Sequence, residues 1–131
     1  MIVLDTHAWL WWVSSPEQLS PAARAAVERS AAAGAVTVSS ISAWEVALLV
    51  KKGRLVLSMG VQDWVRKCEQ IPFLHVRPVD NAVAVRSVNL PEPFHEDPAD
   101  RIIVATALHL DAAVVTRDEK IRNYPAVRTI W

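Results

Sequence analysis

Carboxylates stand in this chain at positions where they can act together. The stretch "HEDPADRIIVATAL" (95–108) sets Glu96, Asp97 and Asp100 directly before an apolar run, and further acids stand at Asp5, Glu45 and Asp118. Each has a structural reading. Asp97 suits a helix N-cap, with Pro98 in the first helical position and Asp100 where the far carboxylate of a capping box sits. Asp5 can cap the apolar helical run that follows it, Ser42-x-x-Glu45 has capping-box spacing, and Asp118 can open a turn. Taken jointly they favour a cation site. Several carboxylates packed within a few ångströms repel and cannot all stay ionised unless a cation neutralises them. An all-oxygen donor set with no cysteine and little histidine suits a hard ion, Mg²⁺ or Mn²⁺, over zinc. Such ions orient and activate water and stabilise charge on a phosphodiester under in-line attack. The chain has no Gly-rich phosphate loop of Walker or Rossmann type, so hydrolysis of a nucleic-acid backbone fits better than nucleotide binding.

Whether the acids meet depends on the elements that carry them. Strands are predicted at "IVL" (2–4), "AVTVSS" (35–40), "LHVRPV" (74–79) and "AAVVT" (112–116), with a weaker one at "VRTIW" (127–131). Helices are predicted after Asp5, over 20–34 (Ser20 cap, Pro21 start, Gly34 stop), 42–53 (closed by Gly53), 61–71, 81–90 (capped by Asp80) and 98–110. Short, continuously apolar strands separated by helices predict one α/β domain over 1–131. It has three layers, with a central, mostly parallel sheet of four or five strands flanked by helices. In an open parallel sheet, ligands bind outside the carboxyl ends of the strands. Asp5 and Asp118 follow strands, and Glu45 lies in the first turn of the helix after the second strand. The helix carrying Asp100 runs antiparallel to the strand it precedes, so it begins at the same edge. Four separate pieces of chain each bring an acid there.

Composition narrows the classes. At 131 residues, 52% apolar and three glycines, the chain is neither disordered nor linker-rich. Fourteen basic and fourteen acidic residues give no net charge, which argues against a protein that simply coats nucleic acid. Cys68 has no partner thiol and reads as a buried small hydrophobe in a reducing compartment. The start "MIVLDTHAWLWWV" lacks a basic lead and is broken by Asp5 and His7, so it is no signal peptide. No apolar run reaches the roughly 18 residues that span a bilayer. A cytoplasmic protein without membrane association is expected.

Three pieces, "IVLDTHAWLWW", "VSSISAWEVALLVKKGRL" and "FHEDPADRIIVATALHLDAAVVTRD", resemble the PIN-domain ribonucleases, specifically the VapC-type toxins of toxin–antitoxin pairs, in order and spacing over almost the whole chain. The resemblance implies a catalytic, metal-binding set of Asp5, Glu45, Asp100 and Asp118. Thr6, Asp97 and Thr116 would support those ligands from behind, Asp97 as the N-cap of the Asp100 helix. It further implies Mg²⁺- or Mn²⁺-dependent endonucleolytic cleavage of RNA, homodimerisation, and inhibition by a small VapB-type antitoxin in a hetero-oligomer. The sequence departs from the family pattern at Asp111, where relatives usually carry glycine. Its neutral charge also leaves RNA affinity to local patches.

Other residues have weaker cases. Arg101 and Arg117 neighbour the acids and are candidate RNA contacts, whereas Lys51, Lys52 and Arg54 read as a solvated helix end. Trp9, Trp12 and Val13 fall on one helical face; Trp11 must point elsewhere, and Trp11 or Trp12 is a candidate antitoxin or dimer surface. His7 and His95 lie near the acids in sequence and read as structural. Two other functions compete with the nuclease. A catalytically silent PIN-like module that binds RNA or protein would have no reason to retain four repelling acids. A phosphoacceptor or aspartate-nucleophile phosphatase would need a paired acid after the first strand, where "THA" stands, and a lysine where Arg117 stands.

Overall fold

Three residues of unbroken apolar chain, Ile2–Leu4 (β1), form the centre of the sheet. The computed structural model describes all of residues 1–131. The remaining strands are β2 (Val36–Ser39), β3 (Leu74–Arg77), β4 (Ala113–Val115) and β5 (Thr129–Ile130), in the order β3-β2-β1-β4-β5, with every pair parallel. Eight-residue or longer helices fill the crossovers: α1 (Thr6–Ser14), α2 (Pro21–Ala32), α3 (Ser40–Lys51), α4 (Val61–Glu69), α5 (Asn81–Val88) and α6 (Pro98–His109). A short α7 (Glu119–Arg122) follows β4.

Alternation along the strands gives the sheet two cores. Ile2, Leu4, Val36, Val38, Leu74 and Val115 pack with α1, α2 and α4 through Trp9, Val27, Trp64 and Cys68. Val3 and Val114 face the opposite side and meet Val83 of α5, Ile103, Val104 and Ala107 of α6, and Ile121 of α7. This is the predicted three-layer arrangement. Trp9 is fully buried against the Trp64 ring at 4.7 Å, and Cys68 is buried as expected. No helix is long and apolar enough to cross a membrane.

Most caps stand where the sequence puts them: Ser20 accepts from Ala23 N at 3.0 Å and Asp80 from Val83 N at 2.9 Å. The exception is α3. It begins at Ser40, capped by Ser39, whose hydroxyl accepts from Ile41 N at 3.2 Å; Ser42 is therefore inside the helix and makes no capping box. Glu45 consequently lies in the second turn, not the first. Neither α7 nor the 3₁₀ turn at Pro16–Gln18 was expected. Val13, assigned to the Trp9 face, is 38% exposed because α1 is ending there, while Trp12 packs on Phe73 at 5.7 Å. Asp111 adopts φ +51°, the left-handed conformation that explains why glycine suits this position.

Candidate active site

The strand order reverses direction between β1 and β4, so the crevice at their carboxyl ends is the switch point where open α/β sheets hold ligands. A cleft of about 540 Å³ lies there, lined by Asp5, Thr6, His7, Trp11, Glu45, Asp97, Asp100, Arg117 and Asp118. All four predicted acids are brought together, and Asp97 joins them. Glu96 is exposed and lines a different hollow, beside Arg101 and Ile102.

Asp5 is the most enclosed acid. Its Oδ1 accepts from Ala8 N at 2.8 Å as the N-cap of α1, and its Oδ2 accepts the hydroxyl proton of Thr116. Thr116 Oγ1 in turn accepts from Asp118 N at 3.0 Å, so one threonine ties the ends of β1 and β4. Asp118 caps α7 through Lys120 N at 2.8 Å, and Asp97 caps α6 through Asp100 N at 2.9 Å. Glu45 accepts from Thr6 Oγ1, which also lies 2.9 Å from the fully buried Ser42 hydroxyl. Thr6 has one proton and gives it to the carboxylate, so Ser42 donates into Thr6. Ser42 is a support that the sequence hides, since its spacing to Glu45 mimics a cap. Capping and cleft-lining are thus not rival readings: Asp5, Asp97 and Asp118 do both.

The electrostatics are those of an uncompensated acid cluster. Burial, followed by the like charges of Asp97, Asp118, Glu45 and Asp5, pushes the Asp100 carboxyl up to about 7. Burial also raises Asp5, against the Thr116 and Ala8 hydrogen bonds, and raises Glu45, against that of Thr6. His95 Nε2 lies 3.2 Å from Asp100 Oδ2 but out of hydrogen-bond alignment. Sequence proximity to the acids was the only signal for it.

The donor set fits a hard cation: five carboxylates and hydroxyls, with no thiol. As they stand, no three of the side chains are placed to share one ion directly. That is consistent with their hydrogen bonds, which occupy an oxygen on Asp5, Glu45, Asp97 and Asp118. Mg²⁺ tolerates such a site, because it keeps several waters and takes only one or two carboxylates directly.

The two arginines part company. Arg117 is exposed on the rim of the cleft, with its guanidinium over the Trp11 ring at 5.9 Å. Arg101, expected to contact RNA, is turned away, since successive helical residues point about 100° apart. Its five N–H donors go to the carbonyls of Ser87, Val88, Phe94 and His95 and to Glu92 Oε1, and only 12% of the side chain is exposed. It is a clamp on the 87–95 segment, with no donor left for a phosphate. Lys51, Lys52 and Arg54 are exposed at the far end of α3 and do not line the cleft.

A doubly wound parallel sheet with acids gathered at its switch point is the arrangement of the PIN domain; the model of that family matches residues 2–127, and the chain belongs to it. Within the family it is of the VapC type: it is 37% identical to ribonuclease VapC22 of Mycobacterium tuberculosis, over 99% of this chain and 98% of that one. Among solved structures it is similar to FitAcB from Neisseria gonorrhoeae, at 25% identity and TM-score 0.66 over 98% of this chain and 96% of that one. VapBC2 from Rickettsia felis, bound to a DNA fragment from its promoter, shares the fold at TM-score 0.70 and 17% identity, over 98% and 97% of the two chains.

Proposed function

We propose that this chain is an endoribonuclease toxin whose cleft hydrolyses RNA phosphodiester bonds with Mg²⁺ or Mn²⁺. The observation that carries the reading is the convergence of Asp5, Glu45, Asp97, Asp100 and Asp118 in one cleft, with the carboxyls of Asp100, Asp5 and Glu45 all raised by burial and, beyond that, by neighbouring like charge. When bound, the ion supplies Lewis acidity that activates water and neutralises charge on the phosphodiester. Asp5, Glu45, Asp100 and Asp118 would hold it, directly or through water. Thr116 and Thr6 fix the carboxylates of Asp5 and Glu45, and Asp97 fixes the start of the Asp100 helix.

As a VapC-type chain it would be held inactive by a small VapB-type antitoxin in a hetero-oligomer, with itself as a homodimer. Val85 and Val88 on α5, 61% and 73% exposed, are apolar surface that such assembly would cover. Incubating total RNA with the purified chain and Mg²⁺ or Mn²⁺ should give fragments that vanish in EDTA and in Asp5→Asn or Asp100→Asn. A folded, metal-replete wild type that leaves RNA intact would instead support the silent binding module.

A further inference from the structure

The rim of the cleft carries a cation that its setting ought to have neutralised. Arg117 lines the same cleft as five carboxylates and is next in sequence to Asp118, yet it forms no ion pair with any of them. Its guanidinium lies over the Trp11 ring, the only apolar side chain lining the cleft. Trp11 is itself fixed from two sides, by Trp131 at 5.8 Å and His7 at 5.7 Å between ring centroids. A guanidinium attracted to the indole face keeps its N–H donors free and its charge unpaired, whereas one bound to a carboxylate has its donors engaged and its charge offset by the partner.

We propose that Trp11 holds the Arg117 guanidinium clear of the acid cluster so that it can take a phosphate flanking the one being cut, making the pair the RNA-docking element of the cleft. This rests on the ribonuclease reading and assigns Trp11 to the substrate, not to the antitoxin. The physical need is plain. An RNA strand entering this cleft meets a concentration of negative charge, and any cation held by the acids serves the phosphate under attack, not its neighbours. Arg101 is spent internally, and Lys51, Lys52 and Arg54 lie elsewhere, so Arg117 is the fixed cation available at the rim. Trp11 acts through Arg117 and is a positioning residue.

The test reads affinity and its salt dependence. A fluorescein-labelled, single-stranded RNA 12-mer of mixed sequence is titrated with the full chain in EDTA, by anisotropy, from 50 to 300 mM KCl. Cutting of total RNA in Mg²⁺ is scored in parallel, and circular dichroism checks each variant. Arg117→Gln, at an exposed position, is expected to weaken binding about tenfold and to reduce the slope of log affinity against log salt by about 0.7, one single-strand phosphate contact. Trp11→Leu should reproduce most of both losses although Arg117 is still present, and Trp11→Phe, which keeps an aromatic face, should recover them. Trp11→Leu that weakens binding with the slope unchanged would make Trp11 a direct contact and overturn the proposal. Equal affinities of wild type and Arg117→Gln would overturn it too, and if wild type still cuts RNA the nuclease reading survives that failure. Binding that depends on both residues without any cutting would keep the docking element and sink the nuclease.

Discussion

Thr116 donates its hydroxyl proton to Asp5, joining two residues 111 positions apart at the ends of adjacent strands. The same oxygen accepts from Asp118 N, so one side chain sets the spacing between two acids of the cleft. Thr116→Val keeps the shape and removes both bonds. It leaves Asp5, only 7% exposed, with an unpaired oxygen, at an expected cost of about 1–3 kcal/mol in urea unfolding. RNA cleavage should fall by about 10–100-fold, the usual loss when a partner behind a metal ligand is removed. Thr116→Ser, which retains the donor, should stay close to wild type in both measurements.

Asp100 predicts an unusual pH profile. A carboxyl held at about 7 in the folded chain, against an ordinary 3.8, binds its proton more tightly folded than unfolded. Stability therefore falls as pH rises from about 4 to 7 and stays lower above that. Asp5 and Glu45, also raised by burial, act in the same direction. In EDTA the melting temperature should drop between pH 5.5 and pH 8, and Asp100→Asn should flatten much of that drop. Excess Mg²⁺ at pH 8 should restore the loss, since a ligand of the folded state stabilises it by mass action. A melting temperature that climbs over this range in EDTA would mean the acids are not crowded as described.

Arg101 is expected to behave as a structural residue beside an active site. Arg101→Met should cost about 2–4 kcal/mol in urea unfolding, because it strands carbonyls of the 87–95 segment along with Glu92. Arg101→Lys should recover little, since an ammonium cannot present five donors in a planar fork. Under conditions where both variants remain folded, the salt slope of RNA binding should match wild type. A reduced slope would put Arg101 back on the phosphate backbone.

At Asp111 the expected change is a gain. Its φ of +51° suits glycine better than an L residue, so Asp111→Gly should stabilise the chain by about 0.5 kcal/mol, read as a higher urea midpoint. The bond from Arg128 to the Asp111 carbonyl, 2.8 Å, belongs to the backbone and survives the change. The side-chain contact that is lost joins two groups that are 68% and 100% exposed, where an ion pair contributes little.

What could be read from the sequence divides along physical lines. Strand ends and proline-marked helix starts are local signals, and they were enough to bring Asp5, Asp97, Asp100 and Asp118 to one edge. Glu45 reached the cleft although its helix starts two residues earlier than predicted. Ser39, Ser40 and Ser42 are all acceptable caps and no local pattern ranks them; Ser39 caps, while Ser40 meets Val79 and Ser42 meets Thr6, both far away in sequence. Arg101 failed for the opposite reason. Adjacency to Asp100 suggested a shared site, but the helical rotation separates neighbours, and its partners come from a loop whose path no local pattern encodes. Trp11 was correctly set apart from the Trp9 face, yet its pairing with Arg117 joins α1 to the end of β4 and is invisible in either segment.

The central strand of the sheet is synthesised before every strand that pairs beside it, and this puts assembly of the cleft on a clock. β1 must wait for β4, more than a hundred residues later, before its second edge is paired. At about 5–20 residues per second, Asp118 leaves the ribosome roughly 6–20 s after Asp5. A nascent chain therefore carries Asp5 and Glu45 for seconds without Asp100 or Asp118 beside them. The protein becomes able to assemble its acid cluster only after the chain has been made through Asp118.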